Sequence, residues 1–510
     1  MKMVKSLILG SAAGLVAMGG AQAADLPVKA KAVEYVRICS LYGAGFFYIP
    51  GTDTCIKLGG FIRVDVVANS NGDFTAPTTT PGSYGDRFSN AFTWRSREDM
   101  TFDTRTATEY GVVRTFSEVV FTWSSDNYNP SGTAPLGSVY SQIGTTGFGQ
   151  SNNGAGGAAN AGTLGVYYAY VQFAGFTIGK AVAPFSAPWT NYPGNNFDAL
   201  VGGGGTVTGV NQLTYTAQFG NGVSASIAAV DPTQYYQAGV LNFGVFGTAN
   251  STGVSDYAGT VAPEIQGNIN ITQAWGMFQF SAAAHDNNAG YYINSGAGNI
   301  VTGHPDDKWG YAVQAAISIN NIPTGAGDTI NASIVYTDGA TRYNIQDLAN
   351  GISGWTSYNG NGAPGTLGGV GIGVAPDSVF SFGGGQHLIS TWGGRAAFNH
   401  NWDPYWSSSL YGAYAHVDYG STAAGIFCAS LIASQPGVTT CNPNYNVAQA
   451  GFITRWTPVK NLTFSAEFAY NHLDQKMAGT LTESGSYGTG AYTIGNQDVY
   501  TGMFRAQRNF

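Results

Sequence analysis

Long segments of the chain alternate polar and apolar residues. Between residues 91 and 103, one parity holds Arg95, Arg97, Asp99, Thr101 and Asp103, and the other holds Phe92, Trp94, Met100 and Phe102. Glu98 is the exception, because it falls on the apolar parity. Similar alternation recurs in 264–275, 328–337 and 461–474. Successive side chains of a strand point to opposite faces, so each segment predicts a strand with one polar and one apolar face.

The pattern predicts sixteen such strands. They cover 57–69, 87–104, 111–124, 163–174, 176–183, 208–219, 223–231, 264–275, 277–287, 309–320, 328–337, 387–399, 405–419, 447–457, 461–474 and 497–510. A soluble sandwich also has two-faced strands, but its strands average about 5–6 residues, whereas a tilted membrane strand needs about 9–11. Most of the predicted strands reach the longer range, which favours a membrane barrel.

The connections between these strands are short and long in strict alternation. Tight turns on one rim and long loops on the other are typical of an outer-membrane barrel, and an even count puts both chain ends on the short-turn rim. Backbone groups in lipid need partners within the protein, so the sheet must close. Sixteen strands leave an aqueous channel. The predicted fold is therefore an all-β, transmembrane, antiparallel barrel of sixteen strands with long extracellular loops and short periplasmic turns.

The first 23 residues indicate export. Lys2 and Lys5 precede an apolar run over 7–18, and an Ala-Gln-Ala sequence ends at Ala23. This order predicts a cleaved secretory signal peptide over 1–23. We expect an N-terminal segment over 24–56, the barrel over 57–510 and a location in the bacterial outer membrane, in contact with its lipid.

Composition narrows the class further. Charged residues make up 10% of the chain and aromatic residues 13%, against about 25% charged in an ordinary soluble domain. This excludes a disordered chain and disfavours a soluble enzyme with a charged surface. A helical membrane protein is excluded too, because no segment of the mature chain offers about 18 consecutive apolar residues. Five tryptophans fall near predicted strand ends and predict an interfacial aromatic girdle: Trp275, Trp309, Trp402, Trp406 and Trp456.

Charge and cysteine content limit the partners and cofactors. Loss of the two leader lysines leaves 19 lysines and arginines against 29 acids, a net charge of −10. Without a basic run, nucleic acid is not an expected partner. Cys39/Cys55 and Cys428/Cys441 form two close pairs, and in an exported chain this favours two disulfides. The competing zinc interpretation lacks a C-x-x-C spacing. The six scattered histidines do not form a metal motif, and we predict no metal, no cofactor and no catalytic residue.

The chain resembles the porin family of alphaproteobacteria. The resemblance rests on the order of several segments: 33–37 with Cys39, 47–52 with Cys55, 108–111, 171–179, 309–313, 327–329, 456–460 and 505–510. It implies a homotrimer of sixteen-stranded barrels through which ions and small hydrophilic solutes diffuse passively. It also implies that the third long loop, 184–207 in this chain, folds into the barrel and narrows it.

Parity then selects the residues expected at the constriction. They are Arg63, Arg95, Arg97, Asp99, Arg114, Glu118, Arg455 and Arg505 on the wall, and Asp198 in the loop. A narrow polar place concentrates the electric field, so these charges would set selectivity. The hypothesis is a basic wall facing a nearly neutral loop, with mild anion preference or little selectivity. The alternative is that the arginines pair with carboxylates of the same wall, such as Asp99, Asp103 and Glu118.

Three further functions remain open from the sequence. Trp189, Tyr192 and Phe197 of the inward loop could stack on sugar rings, which would give a sugar-preferring channel. The long loops 125–162 and 338–386 could serve a surface adhesin or receptor on a plugged barrel. An outer-membrane hydrolase would need a serine partner for His416 or His472, and no serine at matched depth stands out. We therefore expect a channel and not an enzyme.

Overall fold

The computed structural model describes residues 37–69, 92–124, 163–190, 192–198, 200–205, 208–233, 235–243, 254–255, 257–293, 302–345, 355–485 and 488–510. The signal peptide predicted over 1–23 and the adhesin loop proposed over 125–162 lie outside these ranges. Within them, the helices are too short or too polar to traverse a bilayer.

Sixteen antiparallel strands form one closed barrel, as predicted. The strands are β1 Cys55–Asn69, β2 Phe92–Thr108, β3 Gly111–Ser124, β4 Thr163–Phe173, β5 Phe176–Ala181, β6 Val210–Gly220, β7 Val223–Val230, β8 Glu264–Gln273, β9 Gly276–Asn287, β10 Lys308–Asn320, β11 Thr329–Asp338, β12 Ser390–Asn401, β13 Trp406–Asp418, β14 Tyr445–Val459, β15 Leu462–Gln475 and β16 Gln497–Asn509. Each pairs with its neighbour in sequence, and β1 pairs with β16 to close the ring. The number of strands, their order and their antiparallel direction are all confirmed.

The clearest boundary difference concerns β2, which was predicted to end at residue 104. The ladder between β2 and β3 continues to the pair Thr108–Gly111. Four of the five residues over 104–108 are polar, which hides the period-two signal, although the backbone pairing does not depend on it.

The short turns use residues suited to the left-handed backbone region. Between β6 and β7, Asn221 and Gly222 have φ angles of 49° and 73°. A Cβ atom on Gly222 would lie 1.9 Å from the carbonyl oxygen of Thr272. Positive φ at both central residues is typical of a two-residue hairpin turn, which joins neighbouring strands tightly.

The outer face of the barrel is apolar and the inner face is polar. Ile227, Ile334 and Leu410 point outward and are 62%, 67% and 64% exposed. Polar side chains such as Ser281 and Gln314 are buried on the inner face. The five tryptophans expected in a girdle are all exposed, between 41% and 66%. This inverted pattern suits a barrel with lipid outside and polar contents inside.

The long loops build an apolar core at their end of the barrel. An α-helix, α1 (Gly420–Ser434), lies between β13 and β14. Its Phe427 packs in one buried cluster with Leu241, Val379 and Tyr492, which come from three other long connections. The Cys428–Cys441 disulfide ties α1 to the chain that leads into β14.

The described part of the N-terminal segment packs at the short-turn end of β1 and β2. A short strand, Phe47–Tyr48, pairs with the first residues of β1. The Cys39–Cys55 disulfide is buried with Phe46, and the guanidinium of Arg105 lies 4.9 Å from the Phe46 ring centre. Both predicted disulfides are thus present.

Candidate functional site: the lumen and its inward loop

The connection between β5 and β6, residues 182–209, runs across the inside of the barrel. Inward amide side chains of the wall bind its backbone: Asn268 donates to the Pro184 carbonyl and Asn331 to the Pro193 carbonyl, both at 2.7 Å. These contacts come from β8 and β11. The polar inner face therefore supplies hydrogen-bond partners for loop carbonyls, in addition to the bonds that the loop makes within itself.

Two inward arginines hold the middle of the loop. Arg395 of β12 donates to the Thr190 carbonyl at 2.8 Å and to the Leu200 carbonyl at 3.2 Å. Arg455 of β14 donates to the Gly194 carbonyl at 2.6 Å. The sequence analysis did not select Arg395, although it shares the inward parity of β12.

A buried ionic cluster fixes the loop to the strands around the closure. Asp65 of β1 accepts from Arg95 Nε at 2.9 Å and from Arg505 Nε at 2.5 Å. Arg95 Nη1 lies 3.5 Å from the loop carboxylate of Asp198, and Arg505 Nη2 lies 3.5 Å from the Asn196 carbonyl. Asp65, Arg95 and Arg505 are only 0%, 4% and 8% exposed. These arginines were predicted to face the passage, but they lie between the wall and the loop.

The loop contributes one carboxylate, that of Asp198, to the same ionic cluster. The Tyr192 hydroxyl donates to Asp198 at 2.5 Å. Asp198 lies in the loop and not in a spanning strand; burial disfavours its ionised form, but Arg95 and the other nearby arginines outweigh burial and lower its pKa. Phe197 is buried against Val67 of β1. Tyr192 and Phe197 are thus engaged in holding the loop, which leaves little of either for stacking on a sugar.

Two of the remaining predicted arginines of the early strands, Arg63 and Arg114, have wall partners. Arg63 donates to Gln507 at 2.8 Å and is directly opposite Arg97 in the ladder. Arg114 donates to Asp103 from Nη2 at 3.0 Å. The alternative of arginines paired within the wall therefore describes Arg114, with Asp103 as its partner.

The loop lies against one part of the wall and leaves open space along β3 to β9. This space has a volume of about 660 Å³ and reaches toward the short-turn rim. Hydroxyl and amide side chains form much of its lining: Gln172, Thr177, Gln212, Thr214, Thr216, Ser226, Asn268, Asn270 and Gln279. Its one charged lining residue among those described is Glu118, and the loop stretch 182–190 closes the other side.

An aromatic patch stands beside Glu118 in this open space. Phe116 and Tyr170 stack with ring centres 5.5 Å apart, and Tyr168 lies 6.2 Å from Phe116. The guanidinium of Arg114 lies 5.1 Å from the Phe116 ring centre. The sequence analysis missed both tyrosines, because their parity is visible in β4 but their place beside the open space depends on where the loop lies.

A model of a porin subfamily matches the chain over residues 25–503. The chain belongs to the porin family. It is 33% identical over 371 residues to porin Omp2a of Brucella ovis, a match that covers 66% of this chain and 98% of that protein. It is 31% identical over 375 residues to porin Omp2b of Brucella abortus, covering 66% and 92%. These relatives confirm the resemblance to alphaproteobacterial porins.

A solved structure supports the same fold. The outer-membrane channel DcaP of Acinetobacter baumannii superposes with a TM-score of 0.53 at 15% identity, covering 91% of this chain and 99% of that one. Together with the closed barrel, the family assignment makes this chain an outer-membrane diffusion channel.

In this porin the nine predicted constriction residues separate into three groups. Arg95, Asp198, Arg455 and Arg505 contact the loop or carry it. Glu118 lines the open space, with Arg114 beside its aromatic patch. Arg63, Arg97 and Asp99 lie on the wall between these two groups.

Proposed function

We propose that this porin lets ions and small hydrophilic solutes diffuse passively through the open space between the inward loop and the wall of β3 to β9. It works as a homotrimer in the outer membrane after removal of residues 1–23. The observation that carries the proposal is the lining of hydroxyls and amides, which can replace water around a polar solute without binding it tightly.

The selectivity that we propose differs from the sequence hypothesis. The inward arginines donate to loop carbonyls, to Gln507 or to wall acids, and Arg95, Arg395 and Arg505 are buried at the loop, so passing anions do not reach these three guanidinium groups. Glu118 is the one acidic residue of the described lining, and its carboxyl is hydrogen-bonded to that of Asp99, so the two share a proton and present about one negative charge to a passing ion. Two unit charges 4 Å apart in water interact by about 1 kcal/mol, so one carboxylate in a hydrated passage gives a mild cation preference.

Reversal potentials in planar bilayers under a KCl gradient test this assignment. We expect wild type to favour K⁺ weakly. The double variant Glu118→Gln with Asp99→Asn removes the shared charge and should lower the K⁺/Cl⁻ permeability ratio about twofold, since about 0.4 kcal/mol corresponds to a factor of two. Glu109→Gln is the matched control, because it removes one negative charge from an exposed short turn. An anion-selective wild type, or an unchanged ratio in the double variant, would refute the proposal.

The aromatic patch favours a sugar-preferring channel as the second candidate. Phe116, Tyr168 and Tyr170 offer ring faces next to hydrogen-bonding groups, which is the surface that pyranose rings contact. A sugar-preferring channel would show current blocks by one oligosaccharide that Tyr170→Ala abolishes and the outward Tyr215→Ala leaves intact. Solute flux in liposomes decides against the plugged-barrel receptor, which would pass nothing.

A further inference from the structure

Glu98 carries a charge on the lipid-facing side of β2. Its side chain is exposed, as are those of Trp94 and Met100 on the same face. Its ladder partners are Ile62 and Phe121. Within the described part of the chain, no hydrogen bond or ion pair reaches its carboxylate. A charge in mid-membrane is costly in lipid and generally marks a partner or a function.

Lys180 carries the opposite charge on the lipid-facing side of β5. It shares the outward face with Ile178, which is 54% exposed, and its ammonium donates to the Val166 carbonyl at 2.6 Å. That single bond leaves most of the ammonium's hydrogen-bonding capacity unused. On the longer strands described, outward Asp, Glu, His, Lys and Arg side chains other than Glu98 lie within three residues of a strand end. Glu98 therefore stands apart from the charged rims, and Lys180 lies on a short strand, with one residue between it and the inward loop.

The register places the two residues at similar heights in the barrel. Residues paired directly across neighbouring strands form a row perpendicular to the strands. The row through Glu98 begins at Leu462, at the short-turn end of β15, and reaches Leu164, near the long-loop end of β4, so such a row rises from β15 to β4. A second row leads from Lys180 through Ala169 and Ser117 to Phe102, which lies four residues below Glu98 on β2.

Standard barrel dimensions turn this register into heights. With strands about 4.8 Å apart and tilted by about 40°, three strand steps raise Lys180 about 9 Å above Phe102. Four residues at about 3.3 Å each raise Glu98 about 10 Å above the same residue. The two charges lie at nearly one level.

Their angular separation fits a ring of three. Three of sixteen strand steps span about 67° of the circumference. In a closed ring of three copies, the directions from one copy to its two neighbours differ by about 60°; the angle is about 90° for four copies, and a two-fold dimer uses one patch only. Opposite charges at one level and at this angle are complementary to a second copy.

We propose that the outer faces of β2 to β5 form the contact between copies, with the Glu98 carboxylate of one copy facing the Lys180 ammonium of the next. This rests on the homotrimer of the proposed function and assigns its interface. Small side chains at Ser96, Ser117 and Ala169 lie on the same outer face and allow close approach. The pair removes both charges from lipid, and it repeats three times around the ring.

Cross-linking of the full-length porin tests the contact directly. In Glu98→Cys with Lys180→Cys, mild oxidation should give covalent trimers on a non-reducing denaturing gel, and each single variant should stay monomeric there. Ile334→Cys with Lys180→Cys is the matched control, because Ile334 is exposed on the outer face of β11. That control should give no covalent trimer.

Charge reversal provides an independent measurement. Like charges facing each other across an interface cost several kcal/mol, so Glu98→Lys and Lys180→Glu should each raise the trimer dissociation constant in detergent at least tenfold. The exchanged double variant should restore it. Native trimers without cross-links, or without charge sensitivity, would overturn this interface but not the homotrimer. A conducting wild-type monomer would overturn both, and liposome flux would still test the channel.

Discussion

Asp65→Asn is expected to be strongly destabilising. The carboxylate receives Arg95 on one oxygen and Arg505 on the other, and it is fully buried beneath the inward loop. An asparagine side chain keeps one acceptor oxygen and turns an NH₂ group toward the second guanidinium. Two buried cations then share Asp198 as the nearest acid described at the loop.

The expected magnitude follows from burial and geometry. Removing one partner of a buried ion pair costs about 3–5 kcal/mol, because the other charge stays uncompensated. Here one substitution affects two arginines, of which Arg95 is 4% and Arg505 8% exposed. We therefore expect a loss of about 3–5 kcal/mol in the free energy of unfolding. The loop above the cluster should also loosen, with noisier open-channel current.

Asp103→Asn is the matched control for this measurement. Asp103 also receives two arginines, Arg105 and Arg114, but their side chains are 30% and 27% exposed, so solvent screens the loss. Its cost should stay near 1 kcal/mol, as for exposed pairs. Urea unfolding in lipid vesicles gives the free energies and single-channel recording gives the noise. Equal costs for the two variants, with quiet channels in both, would refute the reasoning.

Two other perturbations have defined outcomes. Replacing Cys428 and Cys441 by serine opens a loop of 13 residues and should destabilise the protein by about 3 kcal/mol, seen as a lower melting temperature without reductant. Asp198 has a lowered pKa, so its contribution to holding the loop is present above the unfolded value of about 3.9 and is lost as pH falls through the lower folded value. The difference in conductance between wild type and Asp198→Asn should therefore be constant from pH 7 to pH 5, and a pH dependence of that difference within the interval would contradict the role given to Asp198.

The sequence predicted the barrel well because its signal is local. A strand in a barrel repeats every two residues, and β8 shows this with Ile265, Ile269 and Ile271 outward and polar residues inward. Closure follows from the requirement that every backbone group in lipid be paired. Boundaries differed where polar residues continue the ladder beyond the lipid, as at the end of β2. They also differed at the start of β12, where 387–388, predicted as part of it, pair with a long connection instead.

The site was harder to predict, since parity gives the face of a residue but not what covers it. Arg95 and Arg114 have the same parity signal, yet the loop covers Arg95, which is 4% exposed, whereas the Arg114 side chain is 27% exposed. Arg395 binds loop carbonyls, which carry no sequence signal at all. The loop's path depends on contacts spread over β8 to β16, and a single segment does not encode them.

The same physics assigns different tasks to the two sides of the lumen. A loop lying on the wall brings a run of unpaired backbone carbonyls into a space with little water, and guanidinium groups satisfy such carbonyls well. Arginine on the covered side therefore stabilises the loop, and buried acids such as Asp65 are needed to balance the charge. Because the loop buries Arg95 and Arg395, passing ions do not reach their guanidinium groups. Selectivity then depends on the uncovered side, where Glu118, hydrogen-bonded to Asp99, is the one acidic residue of the described lining.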